Sequence, residues 1–130
     1  MLVVDASVLV VALADDGAAG DVAREALHSQ RLAAPELIDL EVLSVLRRHV
    51  TTGGVDLRRV ELALTDLRDL PLSRAAHAPL LPRCWELRAN LTAYDASYVA
   101  LAEALDAPLV TADRRLAAAP GPRCRITVLR

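Results

Sequence analysis

The segment Leu2–Leu13, with the sequence LVVDASVLVVAL, constrains the fold of this chain more than any other. Its first three residues form a short apolar run without polar alternation, which predicts a strand buried on both faces and therefore a parallel sheet. Asp5 ends this run, and Ser7 begins a second apolar run with helical spacing. Because ligands bind at the carboxyl ends of the strands in open α/β sheets, Asp5 is the first candidate for chemistry.

Further along the chain, strand-like and helix-like segments alternate. The predicted strands are Leu32–Ala34, Leu70–Ser73, Pro108–Val110 and Arg125–Leu129. The predicted helices are Ala18–Ser29, Glu36–Val50 with Pro35 at its first position, Asp56–Leu67, Ala78–Asn90, Thr92–Leu105 and the short Leu116–Ala119. This alternation predicts an α/β fold in which helices cover both faces of a central, mainly parallel sheet, a three-layer α/β/α sandwich. The length of 130 residues predicts one domain, residues 1–130.

Charge limits the partners that we expect. All 15 basic residues are arginine, but the formal net charge is −2, whereas non-specific binders of polyanions are usually basic over a whole face. Any contact with RNA or DNA must therefore be local or assisted by a metal ion.

Composition also bears on assembly and compartment. The chain is 54% apolar but only 2% aromatic, an aliphatic surplus that predicts exposed apolar patches and at least a homodimer. Cys84 and Cys124 lie far apart and no signal peptide is recognisable, which favours the reducing cytoplasm. No apolar run is long enough to span a bilayer, so we expect no membrane association.

Glu41 is the acid whose predicted position on its helix is least favourable for a charge. Three of the four residues one turn away from it are apolar, namely Leu37, Ile38 and Val45, so its side chain should face the core. A charge there is costly unless it is paired or bound to a metal. The structural alternatives are a buried arginine partner or a helix rolled far enough to wet the carboxylate.

Asp95 and Asp113 both have structural explanations as well. Thr92 and Asp95 fit a capping box at the start of a helix, and Asp113 follows a strand and Thr111 as a helix cap would. However, two parallel strands that deliver Asp5 and Asp113 to one edge of a sheet form a pairing that caps alone do not require. The remaining conspicuous side chains, Trp85 and Tyr98, are expected to pack in the interior, and the three histidines lie outside the acid motifs.

The four acids Asp5, Glu41, Asp95 and Asp113 can be gathered at this edge of the sheet. Carboxylates so close together repel one another and cannot all stay ionised without a cation. Hard divalent cations such as Mg²⁺ or Mn²⁺ prefer oxygen ligands and water. Such an ion polarises a phosphoryl oxygen and lowers the pKa of bound water, which is the chemistry of phosphodiester hydrolysis.

With these residues in place, the chain resembles a PIN domain, and in particular a VapC-type toxin of bacterial toxin–antitoxin pairs. The resemblance covers essentially the whole chain and is carried by the segments VVDASVLV, PELIDLEVLSVLRR, NLTAYDASYVALAEAL and PLVTADRRL. It implies a Mg²⁺- or Mn²⁺-dependent endoribonuclease, usually homodimeric, that a cognate VapB-type antitoxin silences.

Carried over position by position, the resemblance implies that Asp5, Glu41, Asp95 and Asp113 form the acidic catalytic site. Asp5, Asp95 and Asp113 would hold the ion, directly or through water, and Glu41 would orient or deprotonate the attacking water. Ser7 and Thr111 would be supporting hydroxyls.

One departure concerns the second metal site. Some PIN proteins carry a further acid shortly after the position of Asp113, where this chain has Arg114, Arg115 and Leu116. We therefore expect one tightly held ion, with a second recruited alongside the RNA phosphate. The two arginines are candidates either for guiding the RNA backbone or for a solvated turn.

Two other classes of α/β protein fit the sequence poorly. A response-regulator phosphoacceptor domain needs a lysine, which the chain lacks, and a haloacid-dehalogenase-type phosphatase needs an acid where Ser7 stands. A nuclease of the same superfamily that acts on DNA or structured flaps would use the same four acids. A catalytically silent interaction module would have no need to keep them.

Overall fold

The structure is a computed structural model and describes residues 1–129. Within this range a five-stranded sheet, all parallel, has the order β3-β2-β1-β4-β5. The strands are β1 (Leu2–Val4), β2 (Leu32–Pro35), β3 (Leu72–Ala75), β4 (Leu109–Thr111) and β5 (Ile126–Val128). The predicted parallel sheet is confirmed, and the strand LVV lies at its centre as its unbroken apolar run indicates.

Seven α-helices accompany this sheet in the described part of the chain, which confirms the α/β/α class. They are α1 (Ala6–Ala14), α2 (Ala18–Leu27), α3 (Ile38–Thr51), α4 (Leu57–Asp69), α5 (Leu81–Glu86), α6 (Ala93–Leu105) and α7 (Arg114–Ala118). Helix α6 is nearly enclosed, with seven consecutive buried residues from Ala96 to Ala102, because mostly small side chains let it pack closely on the sheet. No helix among residues 1–129 is long and apolar enough to cross a membrane.

The prediction for Pro35 was wrong. Pro35 ends β2, where it pairs with Ala75 of β3, and α3 begins only at Ile38. Pairing of β2 with β1 involves Leu32 and Ala33, so at Pro35 the sheet continues on one side, a position where a missing N–H is tolerated. The neighbouring Glu36 N–H donates to the Ala75 carbonyl at 2.9 Å.

The single helix predicted for Ala78–Asn90 is also wrong. A 3₁₀ turn, Ala78–Leu80, is followed by the short helix α5, which ends at Glu86. Pro82 lies in the first turn of α5. A proline suits this position because the N–H that it lacks would have no partner within the helix and its fixed φ is already helical. Inside a longer helix the same missing N–H would interrupt the hydrogen bonds. Trp85, on α5, is 68% exposed rather than packed, and the guanidinium of Arg88 lies 4.4 Å from the centre of its ring.

Candidate active site

Asp5 lies where β1 ends and is the first residue of the site. It is only 7% exposed, and two hydroxyl groups donate to its Oδ2: Ser7 Oγ at 2.7 Å and Thr111 Oγ1 at 2.7 Å. Both bonds go to a charged acceptor, the kind that compensates best for taking a carboxylate out of water. Nothing in the described chain donates to Oδ1, so this atom is available to a ligand.

The two supporting hydroxyls are themselves oriented by the backbone. Ser7 Oγ accepts the Ala112 N–H at 3.0 Å, and Thr111 Oγ1 accepts the Asp113 N–H at 3.0 Å. Because each oxygen accepts from an amide, each hydroxyl proton is free to point at Asp5. The loop after β4 is thereby attached to the start of α1, next to the carboxylate.

Glu41 lies in the first turn of α3, half-buried. Its partner is Tyr98 of α6, whose hydroxyl donates to Glu41 Oε1 at 2.6 Å. The alternative of a buried arginine partner is therefore wrong, because this acid is held by a neutral donor. Tyr98 is fully buried, as predicted, but its hydroxyl contact with Glu41 was not predicted.

Asp95 lies in the first turn of α6. The Thr92 hydroxyl accepts the Asp95 N–H at 3.1 Å, which confirms the predicted helix cap. The Asp95 side chain is half-buried. Burial raises the pKa of its carboxyl, and the charges of Asp5 and Asp113 raise this pKa further. The Thr92 side chain opposes this rise through a hydrogen bond with the Asp95 carboxyl. Capping and membership of the acidic cluster are compatible, because the carboxyl that takes part in the cap also senses Asp5 and Asp113.

The pKa of Glu41 is raised too. Burial is the main cause; the Tyr98 hydrogen bond opposes it, and the charges of Asp5 and Asp95 add to it. These mutual effects identify the acids as neighbours: Asp5 acts on both Glu41 and Asp95, and Asp113 acts on Asp95. Side chains from four separate segments of the chain therefore share one electrostatic environment.

Asp113 is also a helix cap. It is the N-cap residue directly before α7, and its Oδ1 accepts the Arg115 N–H at 2.9 Å. The Arg115 side chain is 95% exposed and its Nε lies 3.7 Å from the same oxygen. A pair so open to solvent contributes little to stability, and Arg114 is exposed as well.

The donor set of the site consists of carboxylate and hydroxyl oxygens, which fits a hard divalent cation. Across residues 1–129, however, no three acidic, histidine or cysteine side chains stand close enough together to hold one ion directly. Mg²⁺ is commonly bound through one or two carboxylates and several water molecules. The arrangement therefore fits an ion held partly through water, and not one enclosed by four direct carboxylate ligands.

Tyr98 is the residue of this site that was missed from the sequence. Its signal was available: Tyr98 follows Asp95 by three positions, so both side chains lie on the same face of α6. A tyrosine also needs a partner for its hydroxyl when it is buried.

The fold and the acids place the chain among known proteins. A model described as PIN domain matches residues 2–122, and the chain belongs to this family. It is 48% identical over 132 residues to Ribonuclease VapC9 of Mycobacterium tuberculosis, covering 99% of this chain and 98% of that protein.

Solved structures agree on the fold. PAE2754 from Pyrobaculum aerophilum matches with a TM-score of 0.70 and 28% identity over 96% of this chain and 81% of that one. VapC20 of Mycobacterium tuberculosis matches with a TM-score of 0.71 over 91% of this chain and 94% of that one, but at 16% identity it supports the fold alone.

Proposed function

We propose that this chain is a metal-dependent endoribonuclease, the toxin component of a VapBC-type toxin–antitoxin module. The observation that carries the proposal is the cluster of Asp5, Glu41, Asp95 and Asp113, in which burial and the charges of neighbouring acids raise the pKa of Glu41 and Asp95. Near-full-length similarity to a protein named as a VapC ribonuclease supports RNA as the substrate.

The roles of the residues follow from their surroundings. Asp5, Asp95 and Asp113 would hold Mg²⁺ or Mn²⁺. Asp5 is the most buried of the three, and no residue among those described donates to its Oδ1. A bound ion of this kind supplies charge stabilisation at the phosphate and a more acidic water. Ser7 and Thr111 orient the Asp5 carboxylate, because both donate to its other oxygen.

Glu41 orients the attacking water and accepts its proton. A carboxyl group with a raised pKa is a better proton acceptor near neutral pH than an ordinary one, and burial and the neighbouring acids raise the pKa of Glu41. Tyr98 occupies Oε1, which leaves Oε2 for the water. One tight metal site, rather than two, is consistent with arginines at positions 114 and 115.

The partners we propose are a VapB-type antitoxin and a second copy of the chain. Large apolar side chains exposed to more than half of their maximum support such contacts, among them Leu40, Leu81 and Trp85. Cys84 and Cys124 are free thiols, which supports the reducing cytoplasm as the compartment.

The test is cleavage of single-stranded RNA by the purified chain, with Mg²⁺, with Mn²⁺ and with a chelator. Asp5→Asn should reduce the rate by about a hundredfold or more, because it removes a charge that holds the ion. Asp66→Asn, which changes an exposed aspartate of α4, is the matched control and should cleave like the parent chain.

The same assay separates the alternatives. Cleavage of DNA or of flap substrates in preference to RNA would favour another nuclease of the superfamily. An intact chain that cleaves none of several RNAs with either metal, or an Asp5→Asn variant as active as the parent, would contradict the proposed function.

A further inference from the structure

The contact between Tyr98 and Glu41 joins two helices that carry different parts of the site. Tyr98 lies on α6, one turn after Asp95, and Glu41 lies on α3. The distance between the Tyr98 hydroxyl and Glu41 Oε1 is 2.6 Å, at the short end of the range for a charge-assisted O–H···O bond. The position of one acid is therefore linked to the helix that supports another.

Core packing alone does not require this hydroxyl. Tyr98 is fully buried, and phenylalanine would fill nearly the same volume without a polar group that has to be satisfied. The hydroxyl proton goes to one oxygen of a half-buried carboxylate that also senses Asp5 and Asp95. The backbone N–H of Ala6 acts on the hydroxyl oxygen, and it does not compete for the proton.

Glu41 needs such a contact because its side chain is flexible. A glutamate side chain has three rotatable bonds and loses more rotamer entropy than most residues when it is fixed. Its neighbour on α3, Leu40, is 70% exposed, so solvent lies close to this part of the helix. The Tyr98 bond engages Oε1, while Oε2 receives no hydrogen bond from any residue in the range 1–129.

We propose that Tyr98 is a positioning residue for the hydrolytic reaction: its hydroxyl fixes the Glu41 carboxylate with Oε2 turned to the attacking water. The inference rests on the proposed function and assigns to Tyr98 a role in it. Tyr98 has no exposed surface, so it acts through Glu41 and does not touch RNA. Burial and the Glu41 carboxylate raise the pKa of the tyrosine well above its usual range, which keeps the hydroxyl a donor at every pH at which RNA is assayed.

The experiment compares Tyr98→Phe with Tyr94→Phe in steady-state RNA cleavage. The chain has two tyrosines, and Tyr94 is a matched control because it lies on the same helix but is 66% exposed. Loss of a hydrogen bond to a charged group should lower kcat of Tyr98→Phe roughly tenfold to a hundredfold, a barrier increase of about 1.4 to 2.7 kcal/mol. KM for RNA should stay within about twofold, as expected of a residue that acts only on the chemical step. Tyr94→Phe should keep the parent kcat.

A double-mutant cycle separates positioning from a structural role. In a Glu41→Gln background the carboxylate is already absent, so adding Tyr98→Phe should change kcat by less than about twofold. An equal loss in both backgrounds would overturn the proposal, as would a Tyr98→Phe chain with the parent kcat. If the parent chain cleaves no RNA, the proposed function fails first and is recognised as a separate failure.

A second measurement covers a Tyr98→Phe chain that does not fold. In the parent chain the buried Tyr98 hydroxyl proton should give a slowly exchanging, downfield proton NMR signal that Glu41→Gln shifts or removes. Absence of that signal in the folded parent chain, or its persistence unchanged in Glu41→Gln, would overturn the contact on which the proposal depends.

Discussion

Replacement of Thr111 by valine tests whether the hydroxyls around Asp5 stabilise a buried charge. Thr111 is fully buried and valine has nearly the same shape, so the change removes one hydroxyl without creating a cavity. The lost bond is the 2.7 Å donation to Asp5 Oδ2, and the Asp113 N–H loses its acceptor at the same time.

The magnitude follows from these two contacts. A hydrogen bond to a charged group contributes roughly 1.5 to 3 kcal/mol, and the stranded amide, at the edge of the site, adds a smaller amount. We expect the free energy of unfolding to fall by about 2 to 3 kcal/mol. For a chain of this size that corresponds to a melting temperature lower by roughly 3 to 5 °C per kcal/mol.

The assay is urea unfolding of the metal-free chain with linear extrapolation to water. Thr127→Val provides the matched control: Thr127 lies in the adjacent strand β5, pairs with Val110 and is exposed, so its change should stay within about 0.5 kcal/mol. If Thr111→Val and Thr127→Val have the same effect, the hydroxyls do not stabilise Asp5, and the explanation of its burial is wrong.

Three further predictions concern the electrostatics of the chain. The raised pKa values of Glu41 and Asp95 mean that both groups bind a proton more tightly in the native state than in the unfolded state. The native state is therefore stabilised fully below their ordinary pKa values of 4.5 and 3.8, and this stabilisation is lost as pH rises through the raised values. Asp95→Asn should therefore stabilise the metal-free chain at pH 7 and reduce the loss of stability as pH rises above 3.8; a destabilised variant at pH 7 would refute this sign. Added Mg²⁺ or Mn²⁺ should raise the melting temperature of the parent chain more than that of Asp95→Asn, because binding stabilises only the native state, and equal shifts would contradict the role of Asp95. Glu103→Ala should lower the free energy of unfolding by about 2 kcal/mol or more, as measured by urea unfolding, because Glu103 accepts from Arg83 at 2.7 Å and from the Arg123 N–H at 2.7 Å. A loss below about 0.5 kcal/mol would show that the ion pair is too exposed to solvent to contribute to stability.

The parts of the fold that were predictable are those in which local pattern and tertiary structure agree. The unbroken apolar run before Asp5 could be buried only at the centre of a parallel sheet, and it is the central strand. The capping sequence at Thr92 and Asp95 is satisfied within one helical turn, so no long-range information was needed. The register that brings Asp5 next to Thr111 follows once β1 and β4 are parallel neighbours.

The errors arose where a residue had two acceptable local environments. Pro35 suits both the first turn of a helix and a strand position with the sheet on one side, and tertiary pairing decides between them. Trp85 is a large apolar residue of the kind that usually packs in a core, but the buried residue of α5 is Cys84, and Trp85 lies on the exposed side of this short helix. The partner of Glu41 could not be read from its own helix, because Tyr98 lies 57 positions away. The two residues meet only because α6 packs against β1 and β2, after which α3 follows.

The central claim is that acids distant in sequence hold one divalent cation, and titration of the metal-free chain with Mn²⁺ by calorimetry tests it most directly. We expect one tight site in the parent chain, weakened at least about tenfold in Asp5→Asn, Asp95→Asn and Asp113→Asn and unchanged in Asp66→Asn. Two equal tight sites, or a site whose affinity is the same in Asp5→Asn as in the parent chain, would contradict the account.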